Sequence, residues 1–149
     1  MFLVFRSDYP LWELTGGGME AGETPEQTAI RETKEESGFE IKLVRKVGIC
    51  YFYTRKKFLR NSHLFEGQVV SGEFVPEFLG CEGAWFKIKH LPLSVTSITK
   101  WRLKEALKRP QKPWGKDIDD DQLFQNLHLL FLHPIAGSKF LYNRYINKP

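Results

Sequence analysis

The stretch that decides the fold is GGGMEAGETPEQTAIRETKEESGF, residues 16–39. Its local signals predict a helix from Pro25 to Ser37. The hydroxyl of Thr24 can accept a hydrogen bond from an unpaired N–H of the first turn, and a proline fits the first helical position because no N–H is needed there. Gln27, three residues after the cap, completes a capping box. Gly38 can adopt the left-handed conformation that ends a helix.

Three glutamates share one face of this predicted helix, because Glu32, Glu35 and Glu36 stand at positions i, i+3 and i+4. Like charges at these spacings destabilise a helix by roughly a few tenths of a kcal/mol per pair. A hard divalent cation would remove the repulsion, and Mg²⁺ prefers oxygen ligands and keeps waters that a phosphate can replace. The glycines before the helix allow a sharp turn and a close approach to a ligand. These features favour a carboxylate-bound metal beside a glycine turn; the alternative is a solvated acidic face.

The same stretch resembles the Nudix box, the signature of the Nudix hydrolases. That signature reads G-x5-E-x7-R-E-U-x-E-E-x-G-U, where U is a bulky aliphatic residue. The matching positions, with phenylalanine accepted at the last one, are Gly17, Glu23, Arg31, Glu32, Glu35, Glu36, Gly38 and Phe39. Two positions depart from the family. Thr33 holds the first aliphatic position, where we expect it to weaken the apolar side of the helix by about 1 kcal/mol, and Thr15 stands where many members have proline.

The resemblance implies a metal site built on the box. In the family the first and last glutamates of this set are usual ligands, and a glycine of the loop can lend its carbonyl. The implied metal ligands are Gly17, Glu32, Glu35 and Glu36. The implied ion is Mg²⁺, with Mn²⁺ as a substitute. Glu23 and Arg31 are expected to form an ion pair that braces the loop on the helix.

A further carboxylate, from the loop before the closing strand, often joins the metal site or acts as the base in this family. Glu82 is the first choice for that residue here and Glu77 the second; plain loop charge is the alternative for both. The predicted catalytic residues are therefore Glu32, Glu35 and Glu82.

Cations and aromatic residues outside the box are candidates for contact with a substrate. Arg6 ends a predicted strand near the glycine loop and could meet a phosphate or a ribose. Residues 51–60 mix aromatic rings with cations, a combination that can stack a base and hold phosphates. The predicted substrate-binding residues are Arg6, Gly17, Gly18, Tyr53 and Arg55. The alternatives are a solvated surface arginine and a solvated hairpin tip.

The rest of the chain predicts an α/β fold of Nudix type, in which a mixed β-sheet lies between helices. The predicted strands are 2–6, 40–47, 49–54 with Gly48 as a bulge, 62–70 and 84–88, followed by a helix at 97–108 and a linker at 110–116. Residues 1–109 are assigned to the Nudix domain, whose usual first strand is missing or truncated. Residues 110–149 are assigned to a C-terminal extension packed on the same domain.

The C-terminal extension is expected to be helical, at residues 123–131 and 138–147, with a strand at 127–133 as the alternative. Because an exposed edge strand favours association, the missing first strand predicts either a homodimer or a C-terminal segment that covers the edge.

Composition is that of an ordinary globular chain, with 149 residues, 42% apolar and 27% charged. The net charge of +4 suits polyanionic substrates without requiring them. Two cysteines do not make a disulfide framework, which favours a reducing, cytoplasmic location. No apolar run approaches about 18 residues, so we expect no membrane contact through a spanning helix.

The predicted function is Mg²⁺-dependent hydrolysis of a pyrophosphate linkage in a nucleoside diphosphate joined to another moiety X, a nucleotide-derived small molecule. One alternative is an RNA 5′-end pyrophosphohydrolase, supported only by the basic turn at residues 55–60. The other is a non-catalytic, nucleotide-sensing Nudix module, which has no need of the complete carboxylate set. The sequence leaves X open among ADP-ribose, nucleoside triphosphates, dinucleoside polyphosphates and nucleotide sugars.

Overall fold

A computed structural model describes residues 1–7, 10–54, 57–108 and 112–119 of the chain. The elements in chain order are β1 (Phe2–Arg6), β2 (Leu11–Glu13), α1 (Pro25–Ser37), β3 (Glu40–Thr54), β4 (Lys57–Ser71), β5 (Glu82–Trp85), a short 3-10 helix (Ile88–His90), α2 (Ser97–Leu107) and β6 (Trp114–Asp119). The helices predicted at 123–131 and 138–147, and the alternative strand at 127–133, lie outside the described residues.

The six strands form two sheets of three strands each within the described residues. In the first sheet β1 is central and runs antiparallel to both β2 and β5. In the second sheet β3 is central, antiparallel to β4 and parallel to β6. The predicted α/β fold of Nudix type is confirmed. Its strands are divided between two sheets, because the short β1 and the long β3 pair with different partners.

Helix α1 has the predicted bounds and the predicted caps. The N–H of Gln27 donates to the Thr24 hydroxyl at 3.3 Å, and the N–H of Thr24 donates to the Gln27 side-chain oxygen at 2.8 Å. Gly38 ends the helix with φ 74°, and its N–H donates to the carbonyl of Lys34 at 2.8 Å. Local sequence therefore fixes both ends of the helix that carries the three glutamates.

Strands β3 and β4 form one long hairpin. The two strands predicted at 40–47 and 49–54 are a single 15-residue strand. A register shift between Lys46 and Gly48 lies at the predicted bulge. Residues 57–61, expected in a basic turn, belong to β4, because its pairing with β3 continues to the last residue of β3, where Thr54 lies opposite Lys57. The strand predicted at 84–88 instead spans Glu82–Trp85.

Strand β6 occupies part of the predicted linker at 110–116. Trp114 lies opposite Gly48 on β3, and its indole ring covers the face of that glycine so closely that a Cβ there would collide with it. Trp101 of α2 meets the indole of Trp114 edge to face, with ring centroids 5.1 Å apart. The described part of the C-terminal extension therefore pairs with β3. β1 has a strand on each side, so the uncovered edge expected there is absent.

The core lies between the sheets and under α2. Its buried apolar residues are Leu3, Val4, Leu11, Phe39, Val47, Cys50, Phe52, Val95 and Leu103. Phe2 of β1 meets Phe39 edge to face, with ring centroids 4.9 Å apart, which joins the first sheet to the chain that follows α1. Arg45 of β3 donates to the carbonyl of Ala106 on α2 at 2.8 Å. No helix in the described ranges is long and apolar enough to cross a membrane.

Candidate active site

The glycine loop lies directly against the acidic face of α1. The N–H of Gly16 donates to Glu36 Oε2 at 2.8 Å. A Cβ added to Gly17 would lie 2.5 Å from both carboxylate oxygens of Glu32, so a side chain at this position would displace that carboxylate. Glu36 therefore holds the start of the loop, and glycine is required at position 17, where the Glu32 carboxylate lies against the backbone.

Arg31 joins the loop to the helix through the predicted ion pair. Its Nε and one terminal nitrogen donate to the two carboxylate oxygens of Glu23, at 2.7 and 3.0 Å, and the carbonyl of Gly18 accepts from it at 3.0 Å. The Arg31 hydrogen bond, together with donors from Glu20 and Thr28, lowers the pKa of Glu23 to about 2. The hydrogen bond to Glu23 is also the main cause that raises the pKa of Arg31, with further bonds to Glu32 and Glu35. The brace therefore stays charged on both sides at neutral pH.

The other terminal nitrogen of Arg31 contacts two glutamates of the acidic face. It donates to Glu32 Oε1 and to Glu35 Oε2, at 2.8 Å each. Within the described ranges, no three histidine, cysteine, aspartate or glutamate side chains meet at one point as a metal cage would. Glu35 is more than half exposed. A cation that used all three glutamates would therefore require this carboxylate to turn away from Arg31.

Glu36 provides the observation that fits a cation. Burial is the main cause that raises its pKa to about 7; the charges of Glu32 and Glu77 add to the rise, while the Gly16 N–H and Arg6 oppose it. The charges of Glu32 and Glu77 on this partly buried carboxylate outweigh that of Arg6, and a divalent cation would offset them. The donors are all hard oxygen atoms, which is the set that Mg²⁺ prefers.

Arg6 and Glu77 both lie close enough to Glu36 for their charges to affect its pKa. Arg6 lies at the end of β1, with its guanidinium 5.1 Å from the ring centroid of Phe78. The loop after β4 thereby brings Glu77 to the side of the site where Arg6 lies. Glu82 instead begins β5, paired with Phe5 of β1. Sequence spacing could not give the neighbours of either glutamate, because these depend on how the loop folds back onto β1.

The remaining predicted substrate contacts have different surroundings. Tyr53 lies near the C-terminal end of β3, whereas Glu40 begins that strand. Its ring packs on Phe58 of β4, with ring centroids 5.7 Å apart. Arg55 lies outside the described residues. Gly18 is turned toward Arg31 through its carbonyl. No sequence signal pointed to Phe78, because its partner Arg6 is far away along the chain.

Comparison with known proteins agrees with this geometry. The family model described as NUDIX domain matches residues 1–109. A Bacillus subtilis (strain 168) protein named as a candidate 8-oxo-dGTP diphosphatase is 35% identical over 131 residues, covering 87% of this chain and 85% of its own. Diphosphoinositol polyphosphate phosphohydrolase 3-alpha of Mus musculus is 31% identical over 117 residues, covering 69% of each chain. The crystal structure of a MutT protein from Bacillus halodurans superposes with a TM-score of 0.59 at 25% identity, covering 80% of this chain and 82% of its own.

The chain belongs to the NUDIX family. The resemblance identified from the box is thereby confirmed, and with it the enzyme class, a hydrolase of phosphoric anhydrides. Nudix hydrolases generally use divalent metal ions. The relatives differ in the compounds after which they are named, so family membership does not choose a substrate.

Proposed function

We propose that this protein hydrolyses a pyrophosphate linkage in a nucleoside diphosphate joined to a moiety X, with Mg²⁺ as the ion. The observation that carries the proposal is the Glu36 carboxyl, which is held on Gly16 beside Glu32 and Glu77. Nucleoside triphosphates are the first compounds to test, because the Bacillus subtilis relative covers most of both chains and is named for one.

The site residues divide the work by their positions. Glu32, Glu35, Glu36 and the carbonyl of Gly17 would hold the ion. When bound, Mg²⁺ offsets charge on phosphate oxygens and lowers the pKa of a water. Glu77 lies close enough to act electrostatically on Glu36 and would accept the proton of the attacking water. Arg6, at the same end of the site, would meet a phosphate oxygen.

A single substitution tests the proposal. Glu36→Gln removes a ligand charge while keeping the shape of the side chain, so we expect turnover with Mg²⁺ to fall by at least about a hundredfold. The matched control is Glu40→Gln, since Glu40 begins β3 and pairs with Lys34 at 2.9 Å. The substrate panel comprises nucleoside triphosphates, ADP-ribose, dinucleoside polyphosphates and nucleotide sugars. Full activity of Glu36→Gln in a folded protein would contradict the assignment.

The RNA alternative gains no support from the described residues. Two cations of the basic turn, Arg55 and Lys56, lie outside them. Arg60, an exposed residue, places its guanidinium 4.7 Å from the ring centroid of Phe52. Strong salt dependence of binding to a 5′-triphosphate RNA would be needed to favour that function.

A further inference from the structure

A tight turn beside the site presents a leucine to solvent. The N–H of Cys81 donates to the carbonyl of Phe78 at 3.1 Å, which closes a turn with Leu79 and Gly80 at its centre. Gly80 has φ +89°, the left-handed value that the third position of such a turn favours. Leu79 is 99% exposed. The turn therefore holds a fully exposed apolar side chain on a defined backbone.

Two residues of the turn, Phe78 and Gly80, lie against the end of β1 and the residue that follows it. The guanidinium of Arg6 lies over the Phe78 ring at 5.1 Å. A Cβ on Gly80 would lie 2.7 Å from the Ser7 hydroxyl, so the turn and the chain after β1 are in close contact. An exposed leucine is by itself ordinary in a globular protein. Leu79 differs because the backbone of its turn is held against two consecutive residues, Arg6 at the end of β1 and Ser7 directly after it.

The turn is also continuous with the catalytic cluster. Glu77 directly precedes Phe78, and its charge acts on Glu36, as does the charge of Arg6. Leu79 is thus two residues from a carboxylate of the site and one residue from the ring under Arg6. Leu79 therefore lies on a segment that borders the proposed phosphate site through Glu77 and Phe78.

We propose that Leu79 is a substrate-contact residue that packs on the organic part of the substrate, its nucleobase, while the glycine loop, Arg6 and the glutamates act on the phosphates. This inference rests on the proposed function. An apolar side chain has no charge and no hydrogen-bond donor for a phosphate oxygen, but it can bury apolar surface against a nucleobase. Because the turn is fixed before binding, little ordering cost opposes that contact.

The expected kinetic effect is specific. Contact with a part of the substrate that does not react contributes equally to ground state and transition state, so its loss raises KM and leaves kcat unchanged. For Leu79→Ser we expect KM for a nucleoside triphosphate to rise about fivefold, with kcat within about twofold of wild type. The inhibition constant of inorganic tripolyphosphate, which lacks a base, should not change.

The experiment measures KM, kcat and the tripolyphosphate inhibition constant for wild type, Leu79→Ser and a matched control. The control is Leu107→Ser, an exposed leucine at the end of α2, which should behave as wild type. An unchanged KM for Leu79→Ser, or an equal rise in the KM and in the tripolyphosphate constant, would overturn the inference. Absence of nucleotide hydrolysis by wild type would instead refute the proposed function.

Discussion

The hydroxyl oxygens of Thr15 and Thr33 lie 3.2 Å apart, so the two departures from the Nudix box meet each other. Thr33 also donates to the carbonyl of Ala29 at 2.7 Å. Since a hydroxyl has one proton, the bond between the two threonines is donated by Thr15. The expected weakening of the helix by Thr33 was derived without this partner. A polar pair therefore joins the start of the glycine loop to the middle of α1.

This pair predicts a measurable coupling between two positions 18 residues apart. Thr15→Val and Thr33→Val each leave one hydroxyl without its partner, whereas the double variant removes both. We expect the double variant to be about 1 kcal/mol more stable than the sum of the two single effects implies. Urea unfolding of all four proteins gives the coupling free energy. Thr99, a buried threonine of α2, is the control, since Thr99→Val should add to Thr33→Val without coupling.

The position of Glu77 predicts which loop carboxylate matters for turnover. Glu77→Gln should lower kcat with Mg²⁺ by at least about tenfold, because a positioned base contributes roughly 10²–10⁴-fold and a water can replace part of it. Glu82→Gln should stay within about twofold of wild type, because Glu82 lies on β5 opposite Phe5. The same substitution in neighbouring segments makes each variant the control for the other. The reverse order of the two effects would restore Glu82 as the catalytic residue.

The raised pKa of Glu36 predicts how stability depends on pH. In the folded protein this pKa is about 7, above the ordinary glutamate value of 4.5. The folded state thus holds the proton more tightly than the unfolded state, so the free energy of unfolding falls as pH rises from about 4.5 to about 7. We expect a loss of about 1–2 kcal/mol, because solvent contact reduces the effect of the full shift. Urea unfolding measured across this pH range should show that the free energy of unfolding falls less steeply with pH for Glu36→Gln than for wild type.

Mg²⁺ should oppose that loss if Glu36 is a ligand. The ion competes with the proton for the carboxylate, so it should raise the melting temperature more at about pH 8 than at about pH 5. The charges of Glu32, Glu77 and Arg6 also act on the Glu36 carboxyl. Comparison with Glu36→Gln isolates the effect of the Glu36 carboxyl itself. An equal Mg²⁺ effect on wild type and variant at both pH values would exclude Glu36 from the metal site.

Sequence predicted what local rules determine. The caps of α1 depend on Thr24, Gln27 and Gly38, all within one turn of the residues they satisfy, and the structure has each of them. The bulge at Gly48 was likewise found from one residue. The pairing of strands was harder, because hydrogen bonds between β1 and β5 join residues about 80 positions apart, and nothing in either segment names its partner.

The candidate site shows the same division. The box placed Glu23 and Arg31 in a local ion pair that the structure contains. The hydrogen bonds from Arg31 to Glu32 and Glu35 were not predicted, because the helical spacing indicated only repulsion among the three carboxylates. The neighbours of Glu36 outside the box, Arg6 and Glu77, come from β1 and from a distant loop. Their approach depends on tertiary packing.

The contact between Gly48 and Trp114 predicts that β6 depends on the absence of a side chain on β3. A Cβ at Gly48 would collide with the indole, so Gly48→Ala should destabilise the protein by about 1–3 kcal/mol. Gly67 of β4 is the control: a Cβ there would lie 3.1 Å from the flexible Cδ1 of Ile41, so Gly67→Ala should change stability by less than about 1 kcal/mol.

Urea unfolding followed by tryptophan fluorescence measures both changes. If the cost of Gly48→Ala comes from the indole, Trp114→Leu should remove most of it, so the double variant should be more stable than the sum of the single effects. Equal costs for Gly48→Ala in the presence and absence of the Trp114 indole would show that the glycine serves the β3 bulge instead. In that case β6 would not be held on β3 through this contact, and its pairing would rest on backbone hydrogen bonds alone.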